Sequence, residues 1–261
     1  MMDKSKIEKY GDELYDALIN RKAVAPLTDR EADITIEDAY QIQQRMIQRR
    51  LDAGETIIGK KIGVTSKVVM DMLKVNQPDF GMLTSGMVFN EGEAVDTSKM
   101  IAPRAEAEVA FILKSDLMGP GVTAADVLRA TDFVVPCFEI VDSRIQDWKI
   151  KIQDTVADNA SCGVLVLGGR RKSPADIDLA LAGMVLEKNG EIISTSTGAA
   201  VQGSPVNAVA WLANTLGNLG IGLKAGEVIL SGSQSPLVPV KAGDSLVCTV
   251  GGLGGTSVRF I

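Results

Sequence analysis

From about residue 83 to the C-terminus, the sequence consists of short β-type runs separated by glycines, without the regular strand and helix alternation of a parallel α/β protein. Two alternating runs flank Asn189-Gly190, a dipeptide that favours a two-residue hairpin turn. The other β-type runs are Glu108 to Leu113, Phe133 to Val141, Val164 to Leu167, Val228 to Leu230, Ser245 to Val250 and Ser257 to Ile261. This half of the chain is therefore predicted to be mostly β.

The first 75 residues have helical patterns instead. Thr35, followed three residues later by Asp38, resembles a capping box, and Gly54 predicts the end of the helix that starts there. Residues 4–20 and 66–74 are shorter helical candidates.

Two further helices are predicted within the β-rich part, around residues 123–130 and from about 204 to 216. The predicted fold class is α+β, with a mixed, mostly β C-terminal domain and an N-terminal helical lobe. We place the lobe at residues 1–80 and the β-rich catalytic domain at residues 81–261.

Charge and residue usage exclude several classes of function. The chain has 27 Lys and Arg against 33 Asp and Glu, a net charge of −6, which disfavours nucleic acid and anionic membranes as partners. No apolar window approaches the length that spans a bilayer, and the N-terminus lacks a signal-peptide pattern. The three cysteines have no CxxC spacing and are interpreted as reduced thiols. We therefore expect a cytoplasmic protein.

The chain contains no histidine. No imidazole is available to ligate a metal, to activate a serine or cysteine, or to act as a base. Any catalysis must depend on carboxylates, lysines, hydroxyls or a bound cation.

Three carboxylates occur in unusually apolar surroundings. Glu106 and Glu108 point to one face if PRAEAEVAFIL is a strand, and at a separation of roughly 7 Å they repel by about 2 kcal/mol. Glu139 interrupts the apolar run FVVPCFEIV, where an unpaired charge is costly. One alternative is a structural ion pair of Glu139 with Arg104 or Arg144. That pairing leaves the Glu106 and Glu108 repulsion unexplained.

A divalent cation bound by all three carboxylates is the second interpretation. Ligation by oxygen alone, without histidine or cysteine, favours Mg²⁺ or Mn²⁺ over Zn²⁺. Three protein oxygens would leave coordination positions for a chelating substrate and for water.

Other polar residues form small clusters near predicted strands or loops. Lys60 and Lys61 lie in IIGKKIGVTS, where either is a candidate to bind a substrate carboxylate or to protonate an enolate, or both are simply solvated. Asp79 follows a proline and is either a turn residue or part of a site. Asp158, Asn159 and Ser161 form a cluster that capping or turn formation would also explain.

Nine segments, in order, resemble the hydratase and decarboxylase branch of the fumarylacetoacetate hydrolase superfamily. They are GDELYDAL, GKKIGVTSKVV, QPDFGML, PRAEAEVAFIL, GPGVT, CFEIVDSRIQDWKIKIQDTVADNASCG, GSPVNAVAWLANTLG, KAGEVILSGS and SVRFI. Together they cover nearly the whole chain, and the combination is far more specific than any one segment. The resemblance implies a distorted β-roll core, a fumarylacetoacetate hydrolase-like fold, with an N-terminal helical portion.

The resemblance also implies roles for individual residues. It makes Glu106, Glu108 and Glu139 ligands of Mg²⁺ or Mn²⁺. The lysine that directly precedes Ile-Gly in the family motif matches Lys61 rather than Lys60.

Three more positions match the family pattern. Asp79 matches a loop aspartate, which we expect to transfer a proton or to orient water. Ser161 matches the hydroxyl after Ala-Asp-Asn and is expected to position a substrate oxygen, and Leu83 is expected on the wall of the substrate pocket.

The implied substrate is a short 2-hydroxydienoate, hydrated with the help of a bound cation. The implied pathway is the meta-cleavage degradation of aromatic compounds.

A decarboxylase acting on 2-oxo-3-hexenedioate is the alternative within the same branch, and a non-catalytic partner of another enzyme is a further one. The resemblance implies a homo-oligomer and a complex with 4-oxalocrotonate decarboxylase. The missing histidine argues against the hydrolases of the superfamily, which activate water with a histidine.

Overall fold

The N-terminal part of the chain forms three helices. The structure is a computed structural model that describes residues 2–65, 70–71 and 75–261. The helices are α1 (Lys4–Asn20), α2 (Leu27–Arg30) and α3 (Ile36–Asp52). Thr35 caps α3 in a complete capping box with Asp38, as predicted. The candidate helix at 66–74 lies mostly outside the described residues.

The rest of the described chain contains thirteen strands, and three further α-helices lie wholly within the described residues. The strands are β1 (Ile57–Gly63), β2 (Asp79–Thr84), β3 (Val88–Asn90), β4 (Ala94–Val95), β5 (Arg104–Leu113), β6 (Thr131–Val141), β7 (Cys162–Leu167), β8 (Gly183–Lys188), β9 (Glu191–Thr197), β10 (Val228–Leu230), β11 (Val238–Pro239), β12 (Ser245–Val250) and β13 (Gly254–Phe260). The helices are α4 (Ala124–Ala130), α5 (Ile152–Ala157) and α6 (Pro205–Asn218).

The strands form two mixed sheets. The larger sheet has the order β2-β1-β10-β5-β6-β7-β3, with β11 paired to β5, and the smaller one has the order β4-β13-β12-β8-β9. Pairing is antiparallel except for β1 with β10, β3 with β7 and β4 with β13. The predicted α+β class is confirmed.

The two faces of β5 and β6 bury different groups. Ala107, Val109 and Phe111 point into the main apolar core, which includes the inner residues of the smaller sheet and of α6. The opposite face carries Glu106 and Glu108 and continues into a second apolar cluster. A third cluster packs α1 and α3 against Ile145 and α5. The acidic face of the larger sheet therefore borders the second apolar cluster.

The predicted turns and caps have the expected backbone geometry. Asn189 and Gly190 connect β8 to β9 with positive φ angles of 55° and 86°, as a two-residue hairpin turn requires. Thr123 caps α4, and Ser204 caps α6 with Pro205 at its first position. These local predictions are confirmed.

The expectation that helices dominate the first 75 residues is wrong for Ile57–Gly63. This segment is β1, which pairs with β10 in parallel and with β2 in antiparallel orientation. The two lysines obscured the strand pattern, because both are buried and take opposite faces. The boundary at residue 80 stays a prediction, and β1 lies before it.

Within the part of the chain that the structure describes, no helix has both the length and the apolar character needed to cross a bilayer.

Candidate metal centre and active site

Three carboxylates meet on the acidic face of the larger sheet. Antiparallel pairing places Glu106 on β5 directly opposite Glu139 on β6, and Glu108 lies two residues further along the same face. One carboxylate oxygen from each residue lies within 4.8 Å of the other two. Glu108 and Glu139 are buried, whereas Glu106 is partly exposed. The sequence prediction that these three side chains share one site is thus matched by their geometry.

The carboxylate cluster has unused acceptor capacity. Among the described residues, Glu108 Oε1 and both carboxylate oxygens of Glu139 accept no hydrogen bond, and Glu139 Oε1 is in contact only with the ammonium group of an ion pair. Glu108 Oε2 accepts a 2.9 Å hydrogen bond from the backbone N–H of Gly232. Buried oxygens without donors are unfavourable unless a cation binds them. The donor set, all carboxylate oxygen, suits a hard divalent cation.

Burial and mutual repulsion raise the pKa values of two of the carboxyl groups, Glu106 and Glu108. Burial, and next the charge of Glu139, raise the pKa of Glu106 to about 7. Burial also raises the pKa of Glu108 well above its ordinary value, and the charges of Glu139 and Glu106 add to the effect. The cluster therefore favours a positive partner.

Lys61 supplies one positive charge. Its Nζ lies 3.1 Å from Glu139 Oε1 and donates a 2.9 Å hydrogen bond to the carbonyl oxygen of Ala160. Burial lowers the pKa of the ammonium group, but the charges of Glu139 and Asp79 outweigh burial and raise that pKa above its ordinary value. Lys61 is therefore a protonated hydrogen-bond donor at the edge of the cluster.

Lys60 points to the other face of β1. Its Nζ forms a buried ion pair with Glu227 and donates to the carbonyl oxygen of Gly222. The alternation of side chains along β1 thus separates the two lysines, and only Lys61 reaches the carboxylate cluster.

Asp79 lies beside Lys61 at the start of β2. A Cβ atom placed on Gly63 would lie 2.2 Å from Asp79 Oδ1 and 3.4 Å from Lys61 Nζ, so both groups approach one point. Burial is the main cause that raises the pKa of Asp79 to about 6, and the charge of Lys61 opposes it. Asp79 is a buried strand residue rather than an exposed turn residue.

Asp79 also borders a cavity of about 590 Å³. The cavity wall comes from α3, from the segment before β2 and from α5, and it includes Ile36, Tyr40, Val75, Pro78, Ile152 and Val156. The ring of Tyr40 stacks on Phe80 with a centroid distance of 4.3 Å. Asn76, Gln77 and Gln153 also line the cavity, which is therefore a mixed polar and apolar space bordered by the Asp79 carboxyl group. Concave spaces with convergent polar groups are the usual places for small-molecule binding.

Ser161 and Leu83 have different surroundings. Ser161 is buried directly after the Ala160 carbonyl that binds Lys61, and its Oγ lies 3.3 Å from Thr155 Oγ1. Leu83 is fully buried in the apolar cluster beneath the carboxylates. Leu83 is absent from the described wall of the cavity, so its role at the pocket stays a prediction.

The alternative ion pairs of Glu139 are wrong. Arg144 pairs instead with Asp158, and both side chains are fully buried. The guanidinium group of Arg104 stacks on the ring of Trp148 at 4.4 Å from its centroid. Among the described residues, the cation paired with Glu139 is Lys61.

Several contributors to the site were missed at the sequence level. They are the Gly232 amide, the Ala160 carbonyl and Tyr40. The glycine in SGSQS, directly after β10, was the one available signal for a close backbone approach. No sequence pattern indicates that the Ala160 carbonyl, or Tyr40 on the distant helix α3, lies near the site.

The close approach of β2 to the 159–161 segment gives a stability prediction. A Cβ atom on Gly81 would lie 2.6 Å from the carbonyl oxygen of Asn159. We expect Gly81→Ala to lower the free energy of unfolding by about 2 kcal/mol, measured by urea denaturation, because overpacking forces the backbones apart. Gly183→Ala is the matched control, since nothing lies within 4 Å of its added carbon. Equal midpoints for the two variants would contradict this packing.

Named hydratases are similar to this chain in sequence. The chain is 66% identical over 221 residues to 2-hydroxypent-2,4-dienoate hydratase of Pseudomonas putida, which covers 84% of this chain and 100% of that protein. It is 58% identical to 2-hydroxyhexa-2,4-dienoate hydratase of Comamonas testosteroni, over 100% of this chain and 99% of that one.

A solved structure extends the comparison to three dimensions. The structure of 4-oxalocrotonate decarboxylase from Pseudomonas putida G7, complexed with magnesium and adipate, superposes with a TM-score of 0.97 at 36% identity. The superposition covers 100% of this chain and 99% of the decarboxylase. The family model for the C-terminal region of fumarylacetoacetate hydrolase matches residues 60–260. The chain therefore belongs to the fumarylacetoacetate hydrolase family.

Proposed function

We propose that this protein is a hydratase that adds water to 2-hydroxypenta-2,4-dienoate and yields 4-hydroxy-2-oxopentanoate, in the meta-cleavage degradation of aromatic compounds. The observation that carries the proposal is the cluster of three carboxylates with a protonated lysine beside it, in a chain without histidine. The names of the similar hydratases support the same substrate class.

The residues Glu106, Glu108 and Glu139 are the proposed ligands of Mg²⁺ or Mn²⁺. Their oxygen atoms fit such an ion, because Glu108 Oε1 and Glu139 Oε2 accept no hydrogen bond among the described residues. When bound, the cation supplies Lewis-acid polarisation of the C2 oxygen of a chelating 2-oxo acid.

Lys61 has the role of a fixed hydrogen-bond donor. Negative charge develops on the substrate's C2 oxygen whenever the enolate forms, and a preorganised ammonium group stabilises that charge. Its hydrogen bond to Ala160 and its ion pair with Glu139 hold the ammonium in one position. Because its pKa is raised, Lys61 donates a hydrogen bond and does not act as a base.

Asp79 is the proposed group for proton transfer or water orientation. In the reaction, the C2 hydroxyl proton leaves and C5 gains a proton, which gives a conjugated 2-oxo-3-enoate. The water oxygen then bonds to C4, the water loses one proton, and C3 gains one proton. Asp79 lies between Lys61 and the cavity, where the substrate chain would extend. Ser161 is proposed to position a substrate oxygen, and Leu83 to support the pocket wall.

Decarboxylation is the second candidate, favoured by the overall similarity to 4-oxalocrotonate decarboxylase. The purified protein with Mg²⁺ is to be given 2-hydroxypenta-2,4-dienoate and 2-oxo-3-hexenedioate in separate reactions. We expect loss of the diene absorbance with the first substrate and no CO₂ release with the second. Release of CO₂ without hydration would contradict the proposed function.

The assembly and the location of the protein remain part of the proposal. We propose a homo-oligomer, a complex with 4-oxalocrotonate decarboxylase and a cytoplasmic location. Turnover of the dienoate by the purified protein alone would exclude a purely structural role in such a complex.

A further inference from the structure

The segment Asn159–Ser161 has an unusual backbone. Its three residues have φ angles of 54°, 50° and 53°, in the left-handed region, and none of them is glycine. For L-residues this conformation costs roughly 1–2 kcal/mol each, so three in succession need strong contacts from their surroundings.

A buried arginine provides the first set of contacts. The guanidinium group of Arg144 pairs with the carboxylate of Asp158 and also donates to the carbonyl oxygens of Asp142, Asp158 and Cys162. The backbone N–H of Arg144 donates a 3.0 Å hydrogen bond to Asp158 Oδ2. These partners lie on both sides of the left-handed segment, so the planar fork fixes the positions of both its ends.

The side chain of Asn159 provides the second set. Its Oδ1 accepts a 2.8 Å hydrogen bond from the Met82 N–H, and its Nδ2 donates a 2.9 Å hydrogen bond to the Met82 carbonyl oxygen. The segment is thereby attached to β2 through the Asn159 side chain and to Arg144 through the carbonyl oxygens of Asp158 and Cys162.

The left-handed segment presents two groups to the site. The Ala160 carbonyl oxygen accepts the hydrogen bond of Lys61 Nζ at 2.9 Å, and the next residue is Ser161. In a right-handed or extended conformation, this carbonyl would point elsewhere. The direction of the Lys61 ammonium group thus depends on a strained backbone that other residues maintain.

We propose that Arg144 and Asp158 are positioning residues that hold Asn159–Ser161 left-handed, so that Ala160 directs Lys61 toward the substrate. This inference rests on the proposed function of the same site. If Arg144 had only a role in the fold, an ion pair with the Asp158 carboxylate would be enough. Arg144 also donates to three backbone carbonyl oxygens around the segment.

The test begins with Arg144→Lys, which keeps the charge and loses the fork. We expect kcat for dienoate hydration to fall about 100-fold, because small misplacements of catalytic groups have effects of this size. KM and the Mn²⁺ dissociation constant should stay within threefold, since the carboxylates are untouched. Arg50→Lys is the matched control, a buried arginine paired with Glu55 outside this segment, and its kcat should remain unchanged.

A double-mutant cycle separates positioning from general damage. In Lys61→Met protein, Arg144→Lys should lower the residual kcat by less than threefold, because the group that it positions is gone. The same 100-fold loss in both backgrounds would overturn the proposal.

Two further measurements keep the test decisive. If Arg144→Lys does not fold, the pair Arg144→Met with Asp158→Leu removes both charges, a replacement that proteins often tolerate, and the same loss of kcat is expected. Amide hydrogen exchange over residues 158–163 should rise at least tenfold in the variants. If exchange is faster in the variants but the wild type does not hydrate the dienoate, the hydratase function alone is refuted. If the variants keep both wild-type activity and wild-type exchange, the positioning role is refuted.

Discussion

Glu139→Gln is expected to abolish metal-dependent hydration while the protein stays folded. The proposed cation loses a charged ligand whose oxygens are paired, among the described residues, only with the ammonium group of Lys61. We expect kcat to fall by about 10³-fold or more and Mn²⁺ affinity to fall with it. The free energy of unfolding in the absence of metal should change little, because the relief of repulsion with Glu106 and Glu108 is offset by the loss of the counter-charge that Glu139 provides to Lys61. Calorimetric titration with Mn²⁺, hydration rates and urea denaturation measure the three quantities.

Glu227→Gln is the matched control. Glu227 is also a largely buried carboxylate paired with a lysine, but its partner is Lys60 on the other face of β1. Leaving Lys60 without its counter-charge should cost about 3 kcal/mol of stability, while Mn²⁺ affinity and kcat remain near the wild-type values. Normal activity and metal affinity in Glu139→Gln would remove the basis of the ligand assignment.

Lys61→Met should separate catalysis from metal binding. The variant removes the ammonium group that we propose to stabilise charge on the C2 oxygen, and loss of one such donor typically lowers kcat by about 10²–10³-fold. Mn²⁺ should bind at least as tightly as in the wild type, because the positive charge 3.1 Å from Glu139 no longer competes.

Lys60→Met provides the comparison for Lys61→Met. Its ion pair with Glu227 faces away from the carboxylates, so this variant should lose stability and keep its kcat. An active Lys61→Met protein beside an inactive Lys60→Met protein would show that the wrong lysine has been assigned.

Much of the local structure could be predicted because it depends on local rules. The capping pair Thr35 and Asp38, and the turn Asn189-Gly190, each act within a few residues, and all appear as expected. The shared face of Glu106 and Glu108 follows from the two-residue period of a strand.

Other features depend on contacts between distant segments. The register that places Glu106 opposite Glu139 cannot be derived from either strand alone. Alternation separates Lys60 from Lys61, but the choice of face depends on the partners Glu227 and Glu139. The strand nature of β1 was missed for the same reason, since both lysines are buried only through these pairs.

The left-handed segment illustrates the largest gap. The positive φ angles occur at Asn159, Ala160 and Ser161, and since none of these is glycine the sequence does not indicate them. We propose that Arg144 maintains the conformation, through contacts that are visible only in three dimensions. From the sequence, Arg144 was a candidate partner for Glu139. In the structure Arg144 pairs with Asp158 instead, and it binds backbone carbonyls next to the segment that contacts Lys61.

The most direct test of the account follows metal occupancy and turnover in the same samples. Protein stripped with a chelator is titrated with Mn²⁺, and bound ion and the hydration rate of 2-hydroxypenta-2,4-dienoate are measured at each step. We expect no turnover at zero occupancy and a rate proportional to occupancy up to one ion per chain, with no turnover by Glu139→Gln at any Mn²⁺ concentration. Full hydration by the metal-free protein would contradict it.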